Sequence, residues 1–440
     1  MGRYSFTLIE NRYLTPREYM RLHEYDDSYR LIGPIRSRVG AVKNLDQHRQ
    51  IANSVPPRWS MCWERLYWRR PLSKIFELFG YRLDVWGAEA EANLRRAWCP
   101  FMDAECDGEG NRHQSAIDFA GNIALSRKIP GKSKIQCGVC SLQMQENEQP
   151  WIVCSRRLFS LKHGKMTIHQ VGIRKKLATI LAFPASSAYS VWPEVKMKAN
   201  ITSADDEDKS FDYTFDYVLA PTEHRKICDI ASMLSMKPED VEKLAERNKF
   251  TLIFRGNEKW IDDFPADPLT IIEVMTSSTS GGNKQKRTQI AMACEDAILH
   301  KDNHAGPGIN YRQVWARMVS QLIAKSQVAL AWGGSTIWLL QDVLADYISK
   351  STALNLSKYL SDRLNEVNIL AFGYGNIKSS TSGAPMALRN SSLYSGPILK
   401  VESAGSADGF VDIVKIGAPP QKEFILTSLL CKPPVWACKQ

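Results

Sequence analysis

The stretch PLTIIEVMTSSTSGGNK (268–284) decides how the chain is read. Proline opens it, β-branched residues crowd together up to Met275, and the sequence then turns polar. That pattern marks a strand running out into an exposed loop. Period-two alternation along the strand puts Glu273 and Met275 on one face. VWPEVKM (191–197) and FDYTFDYVLA (211–220) have the same character, and the second carries Asp216. Between 220 and 268 the run CDIASMLSMKPEDVEKLAERNKF (228–250) predicts a helical insert over about 224–262. Pro238 would sit in the first turn of its second helix, with Glu239 and Asp240 near the positive end of the dipole. The pair resembles a helix-turn-helix, although helical hairpins of this composition more often serve packing. Further on, a long amphipathic helix is expected from Tyr311 to about Lys325. VALAWGG and STIWLL are strand-like, and DVLADYISK is helical. Strands interleaved with helices argue a mixed α/β core.

At 440 residues the chain has room for two or three domains, and its 44% hydrophobic and 24% charged residues suit an ordinary protein with a real core. The formal charge of +10 is spread along the sequence, which suits a phosphate-rich partner. No apolar stretch follows a basic start, and the longest nearly apolar run, 328–340, is shorter than the ~18–20 residues that span a bilayer. The sequence is of a cytoplasmic type, with no membrane contact expected. Ten cysteines in such a chain point away from a disulfide framework and towards metal where they cluster.

They do cluster. After a helical pattern with Leu72, Ile75, Phe76, Leu78 and Phe79 on one side, and a second helix from Ala88 to Ala97, cysteine-bearing loops run to 154. WCPFMDAEC (98–106), CGVCS (137–141) and VCSRRLF (153–159) hold five cysteines. Cys137 and Cys140 have the usual knuckle spacing, whereas Cys99 and Cys106 are more widely spaced. Four thiolates brought together tetrahedrally suit zinc or a single iron.

Asp216 within one strand and Glu273 at the end of another form a minimal arrangement for holding Mg²⁺ beside a phosphodiester. The loop that follows Glu273 carries Lys284, Lys286 and Arg287, which would bind DNA phosphates without reading sequence.

A family resemblance joins these parts. ELFGYRLDVWGAEAEANLRRAWCPFMDAEC, GVCS, VCSRRLF, the Asp216 and Glu273 strands, and GINYRQVWARMVSQLIAKSQVALAWGGSTIWLLQDVL together resemble the NotI and EagI type of Type II restriction endonucleases, over about 71–440. The resemblance implies a PD-(D/E)xK fold with a four-cysteine region over 71–160 and a nuclease domain over 161–440. It implies a structural iron or zinc on Cys99, Cys106, Cys140 and Cys154, with Cys137 an extra cysteine close enough to compete. Mg²⁺ would lie on Asp216 and Glu273, with Glu194 as an accessory acid. The substrate would be double-stranded DNA, cut at a GC-rich palindrome by a homodimer in a bacterial or archaeal cell. One departure matters: Met275 stands where the family has Gln or Lys. A thioether cannot orient water as those groups do, so Lys284 or Lys286 is expected to take that role, or activity is weakened.

Residues 1–60 have a different character. RYLTPREYMRLHEYDDSYR (12–30) and QHRQIANSVPP (47–57) resemble the C-terminal motifs of DNA cytosine-5 methyltransferases. The catalytic Pro-Cys pair of that chemistry occurs nowhere in the chain. A remnant of a cognate methyltransferase that protects the same site is one reading, with Met61 an old start. A component of a split methyltransferase and a small domain with another role also stay open. For the whole chain, the alternatives to the nuclease are that split methyltransferase and a catalytically weakened DNA-binding relative.

Overall fold

The computed structural model describes residues 73–440 except 109–114, 162–166, 182–187, 203–207, 281, 352–355, 378–382, 399–420, 433–435 and 439–440. The methyltransferase-like segments, residues 1–60, lie outside the described residues.

The first element corrects an expectation. Lys74–Leu78 is a strand, β1, not a helix. Its residues are buried on both faces, and a continuous apolar run does not distinguish a strand from a buried helix. Pairing with β7 (Val139–Gln143) and a hairpin to β2 (Tyr81–Arg82) settle the matter. The two turn residues, Phe79 and Gly80, both have positive φ (47° and 86°), as a tight hairpin of this kind requires. A Cβ on Gly80 would stand 2.4 Å from the Pro100 ring, so glycine is needed there for space as well as conformation.

Helix α1 (Ala88–Arg96) forms as expected, with Ala97 left-handed at its end. The cysteine-bearing stretch is more regular than loops. Strands β3 (Trp98–Cys99) and β4 (Ala104–Glu105) pair, as do β5 (Ala116–Asp118) and β6 (Lys134–Gln136), and β7 pairs with β8 (Trp151–Ile152). Helix α2 (Ile123–Lys128) lies between β5 and β6, and the short helix α3 (Ser155–Leu158) follows β8.

After α4 (Ile168–Leu181) the chain builds a nine-stranded mixed sheet. Its strands are β9 (Tyr189–Thr202), β10 (Asp208–Lys226), β11 (Leu252–Arg255), β12 (Glu258–Pro265), β13 (Thr270–Met275), β14 (Ser335–Gln341), β15 (Val367–Gly373), β16 (Asn390–Gly396) and β17 (Trp436–Cys438). Strands β13, β14 and β15 are parallel, and the remaining pairings are antiparallel. Helices α5 (Ile227–Met233), α6 (Pro238–Arg247), α7 (Ile290–His300), α8 (Tyr311–Ala331), α9 (Asp342–Ser351) and α10 (Lys422–Leu430) complete the mixed α/β fold. Among the described residues, no helix is long and apolar enough to cross a membrane.

Two more expectations change here. The insert over 224–262 is helical only in its first half; β11 and β12 then extend the sheet. Pro238 does open α6, with Glu239 and Asp240 in its first turn. Ile230, Val241 and Ala245 of the two helices are fully buried in a shared core with α10, so this face of the pair serves packing. The VALA of VALAWGG continues α8 instead of forming a strand. Its Val328 and Ala329 are buried against the sheet, and the helix stops only at Trp332 and Gly333, whose φ is +71°.

The division expected near residue 160 falls inside one compact unit, Leu72–Gln440. The core around β1 and β7 includes Ala293, Cys294, Ala297 and Ile298 of α7. Ser73 Oγ reaches the carbonyls of Gly306 (2.9 Å) and Pro307 (2.6 Å), and the Ile75 N–H donates to His304 Nε2 (2.8 Å). A buried polar knot ties the same region to later strands. The fully buried Glu77 accepts from Arg157, from Ser141 Oγ (2.8 Å) and from Tyr374 Oη (2.5 Å), while Arg157 Nη2 donates to the Met386 carbonyl (2.7 Å).

Candidate active site and cysteine cluster

Strand β10 pairs with β9 along one edge. Along the other it pairs with β13 over Tyr217–Leu219 only, and that ladder stops at Asp216. A fork opens there, leaving backbone groups that would otherwise be unpaired in a dry interior. Side chains take them up. The Asp216 N–H donates to Glu273 Oε1 (3.3 Å), and the Val274 N–H donates to Asp216 Oδ2 (2.8 Å). Lys325 Nζ, from α8, donates to the Thr214 carbonyl (2.9 Å) and to Glu273 Oε2 (2.5 Å). Glu273 is 2% exposed and Lys325 4%.

Glu194 lies on the other side of Asp216. The β9–β10 ladder pairs Phe215 with Val195 and Tyr217 with Pro193, and skips the position between. The residue skipped on β9 is Glu194, held at φ 47°, a strained value for a residue with a side chain. The interruption shifts the alternation by one. Phe215 and Val218 face the α8 side, whereas Tyr217 and Leu219 pack with Leu158, Phe159 and Ile173 on the other. Three acids on neighbouring strands therefore stand in a row, Glu194, Asp216 and Glu273, with Asp216 in the middle.

A cavity of about 540 Å³ opens over this row, lined by Glu194, Asp216, Arg156 and Lys432 among others. Glu273 does not line it; this acid lies behind, with Lys325. Burial and then the Asp216 charge raise the Glu273 carboxyl, Lys325 pulls it back, and the balance leaves it at about 8. Burial also raises Asp216, against the Val274 N–H, Lys325 and Arg156, which favour its charged form.

Met275 is a packing residue, half-buried against Val314, Met318, Trp338 and Leu344. The cation beside Glu273 is neither Lys284 nor Lys286, which lie exposed in the 283–287 turn. Arg287, also expected at DNA phosphates, pairs with Asp296 (2.8 Å) and Glu295 (2.9 Å) of α7. Lys325 is absent from the sequence reading, yet it left a signal. Val314, Met318, Val328, Ala329 and Trp332 form one apolar stripe on α8, and Lys325 sits at a helical spacing within it. Arg156 and Lys432 left no such signal.

Cys99, Cys140 and Cys154 form a small core of their own with Phe101 and Met102, and Cys106 packs against it. Backbone N–H groups converge on all four sulfurs: Phe101 and Met102 on Cys99, Gly108 on Cys106, Gly80 on Cys140 (3.2 Å), and Arg156 and Arg157 on Cys154. Burial pushes the Cys99 thiol up to about 12, with the Cys154 charge adding to it. A hydrogen bond between Cys140 and Cys154 keeps the first protonated and favours thiolate at the second. Cys137 hydrogen-bonds Cys294 in the main core of this lobe, against which Cys106 also packs. Among the described residues, no three His, Cys, Asp or Glu side chains stand in metal-holding geometry, for the thiols or for the acids. The donor types nevertheless suit the metals expected from the sequence. Soft sulfurs supplied with N–H donors suit zinc or iron, and hard carboxylates suit Mg²⁺.

Comparison with known proteins found no matching family model, curated protein or solved structure.

Proposed function

We propose that the protein is a Mg²⁺-dependent, site-specific DNA endonuclease of the NotI and EagI kind, with a PD-(D/E)xK core and a structural metal on Cys99, Cys106, Cys140 and Cys154. The observation that carries this reading is the strand fork, where Asp216 lies between Glu194 and Glu273 and Lys325 is buried on Glu273. Asp216 and Glu194 face the cavity and would hold the divalent cation, with Glu273 supporting from behind. The cation would stabilise charge developing on the phosphate and lower the pKa of a bound water. Lys325 takes the cationic role for which Met275 is unsuited: it fixes Glu273 and holds positive charge behind the acids. Cutting both strands of a palindrome requires two such sites, hence a homodimer.

Purified full-length protein is incubated with GC-rich plasmid and Mg²⁺, with Glu273→Ala as control. Discrete fragments from wild type and none from the variant support the reading. A second reading, a DNA-binding relative without cleavage, is favoured by the packing role of Met275. Sequence-selective binding without cutting in either Mg²⁺ or Mn²⁺ would establish that reading and end the first.

A further inference from the structure

The cavity carries cations as well as acids, and one of them is built in. Arg156 is only 7% exposed, yet it lines the cavity. Its Nε donates to Asp107 (3.3 Å), its guanidinium hydrogen-bonds the Tyr217 hydroxyl, and its charge acts on Asp216. Both ends of the Arg156–Asp107 pair are anchored in the sulfur cluster: Asp107 follows Cys106, and Arg156 lies two residues after Cys154 in α3. Lys432 lines the same cavity, and its Nζ donates to the Glu194 carbonyl (2.8 Å). A cavity that sets two cations beside two carboxylates suits a ligand that brings an anion and a divalent cation together. A phosphodiester with bound metal has that chemistry, and a planar guanidinium matches phosphate oxygens.

We propose that Arg156, aided by Lys432, grips a backbone phosphate of the polynucleotide in the cavity, and that the four-cysteine cluster serves to hold Arg156 there. This rests on the nuclease reading and adds the residues that bind the substrate's phosphate. The cysteine lobe thereby becomes part of the active site through Arg156 of α3.

The test compares wild type with Arg156→Ala on plasmid in Mg²⁺, with and without added guanidinium, while unfolding midpoint and four-cysteine metal content are followed. The variant should cut on the order of 100- to 1000-fold more slowly, as when one preorganised donor is lost from a reacting anion. Guanidinium should restore part of the rate, and fold and metal content should be unchanged. Cutting at the wild-type rate overturns the proposal and leaves the nuclease reading standing. So does a loss that guanidinium does not restore. If wild type cuts no DNA, calorimetric titration with inorganic phosphate in Mg²⁺ separates the two ideas. Binding that Arg156→Ala abolishes keeps the anion grip and removes the nuclease, whereas no binding by wild type ends both.

Discussion

In the cysteine lobe, backbone N–H groups converge on side-chain sulfur; at the strand fork, side chains supply what the backbone ladder has lost. Cys99, Cys106, Cys140 and Cys154 receive N–H groups from tight turns and a helix start, so their placement depends on local chain geometry. Asp216, Glu273 and Lys325 come from two strands and a helix far apart in sequence, and they satisfy Thr214, Asp216 and Val274 across a gap. The first arrangement gathers four thiols, of which Cys154 is the one favoured as thiolate. The second balances its charge internally through one buried lysine. The difference teaches where each should be fragile: the lobe at the thiols on which a metal is proposed, the fork at the Glu273–Lys325 contact.

The largest effect should come from the lobe. Cys154→Ala should abolish the proposed metal binding, measured by elemental analysis, and cost several kcal/mol of stability, on the order of a domain's net stability. If metal content and unfolding midpoint are unchanged, the four thiols are packing residues and the contrast disappears. Next is Lys325→Met, which leaves the Thr214 carbonyl and Glu273 without their buried donor and should cost about 1–3 kcal/mol in denaturant unfolding. Pairing it with Glu273→Gln should recover part of that loss. Strict additivity of the two substitutions would show that the pair does not act as a unit.

The smallest effect sharpens the electrostatics of the fork. Burial lifts Glu273 from 4.5 to about 8, so the native state keeps a proton that the unfolded chain releases. Its contribution is complete below pH 4.5 and is lost as pH rises through about 8. In metal-free protein, stability should fall as pH rises through that window. Glu273→Gln should remove that part of the slope. An identical pH profile in the variant would show that Glu273 is ionised from the start.

Much of this was legible in the sequence. The Asp216 and Glu273 strands stood out through β-branched content between turn signals, and the cysteine grouping through spacing. What escaped has a physical reason. KIFEL is buried on both faces, which erases the periodicity that separates strand from helix. VALA joined α8 because helix packing, not its β-branched valine, decided its state. Lys325 acts on Glu273 through a contact spanning 52 positions, which no local pattern encodes. The role of Glu194 depends on a backbone twist at φ 47°, and a side chain's identity does not announce such a twist.

The knot around Glu77 bears on how the protein is made. Arg157 sits on the carboxylate from 80 positions away, but Tyr374 donates from 297 positions away and α7 closes the same core from near residue 294. A chain emerging from the ribosome cannot complete this lobe when its cysteines appear. It must wait until Tyr374 has been synthesised, 220 residues after Cys154, and contacts of such long sequence separation slow folding. During that interval the four thiols are open to solvent and to oxidants. Early capture of the proposed metal would then protect the nascent chain.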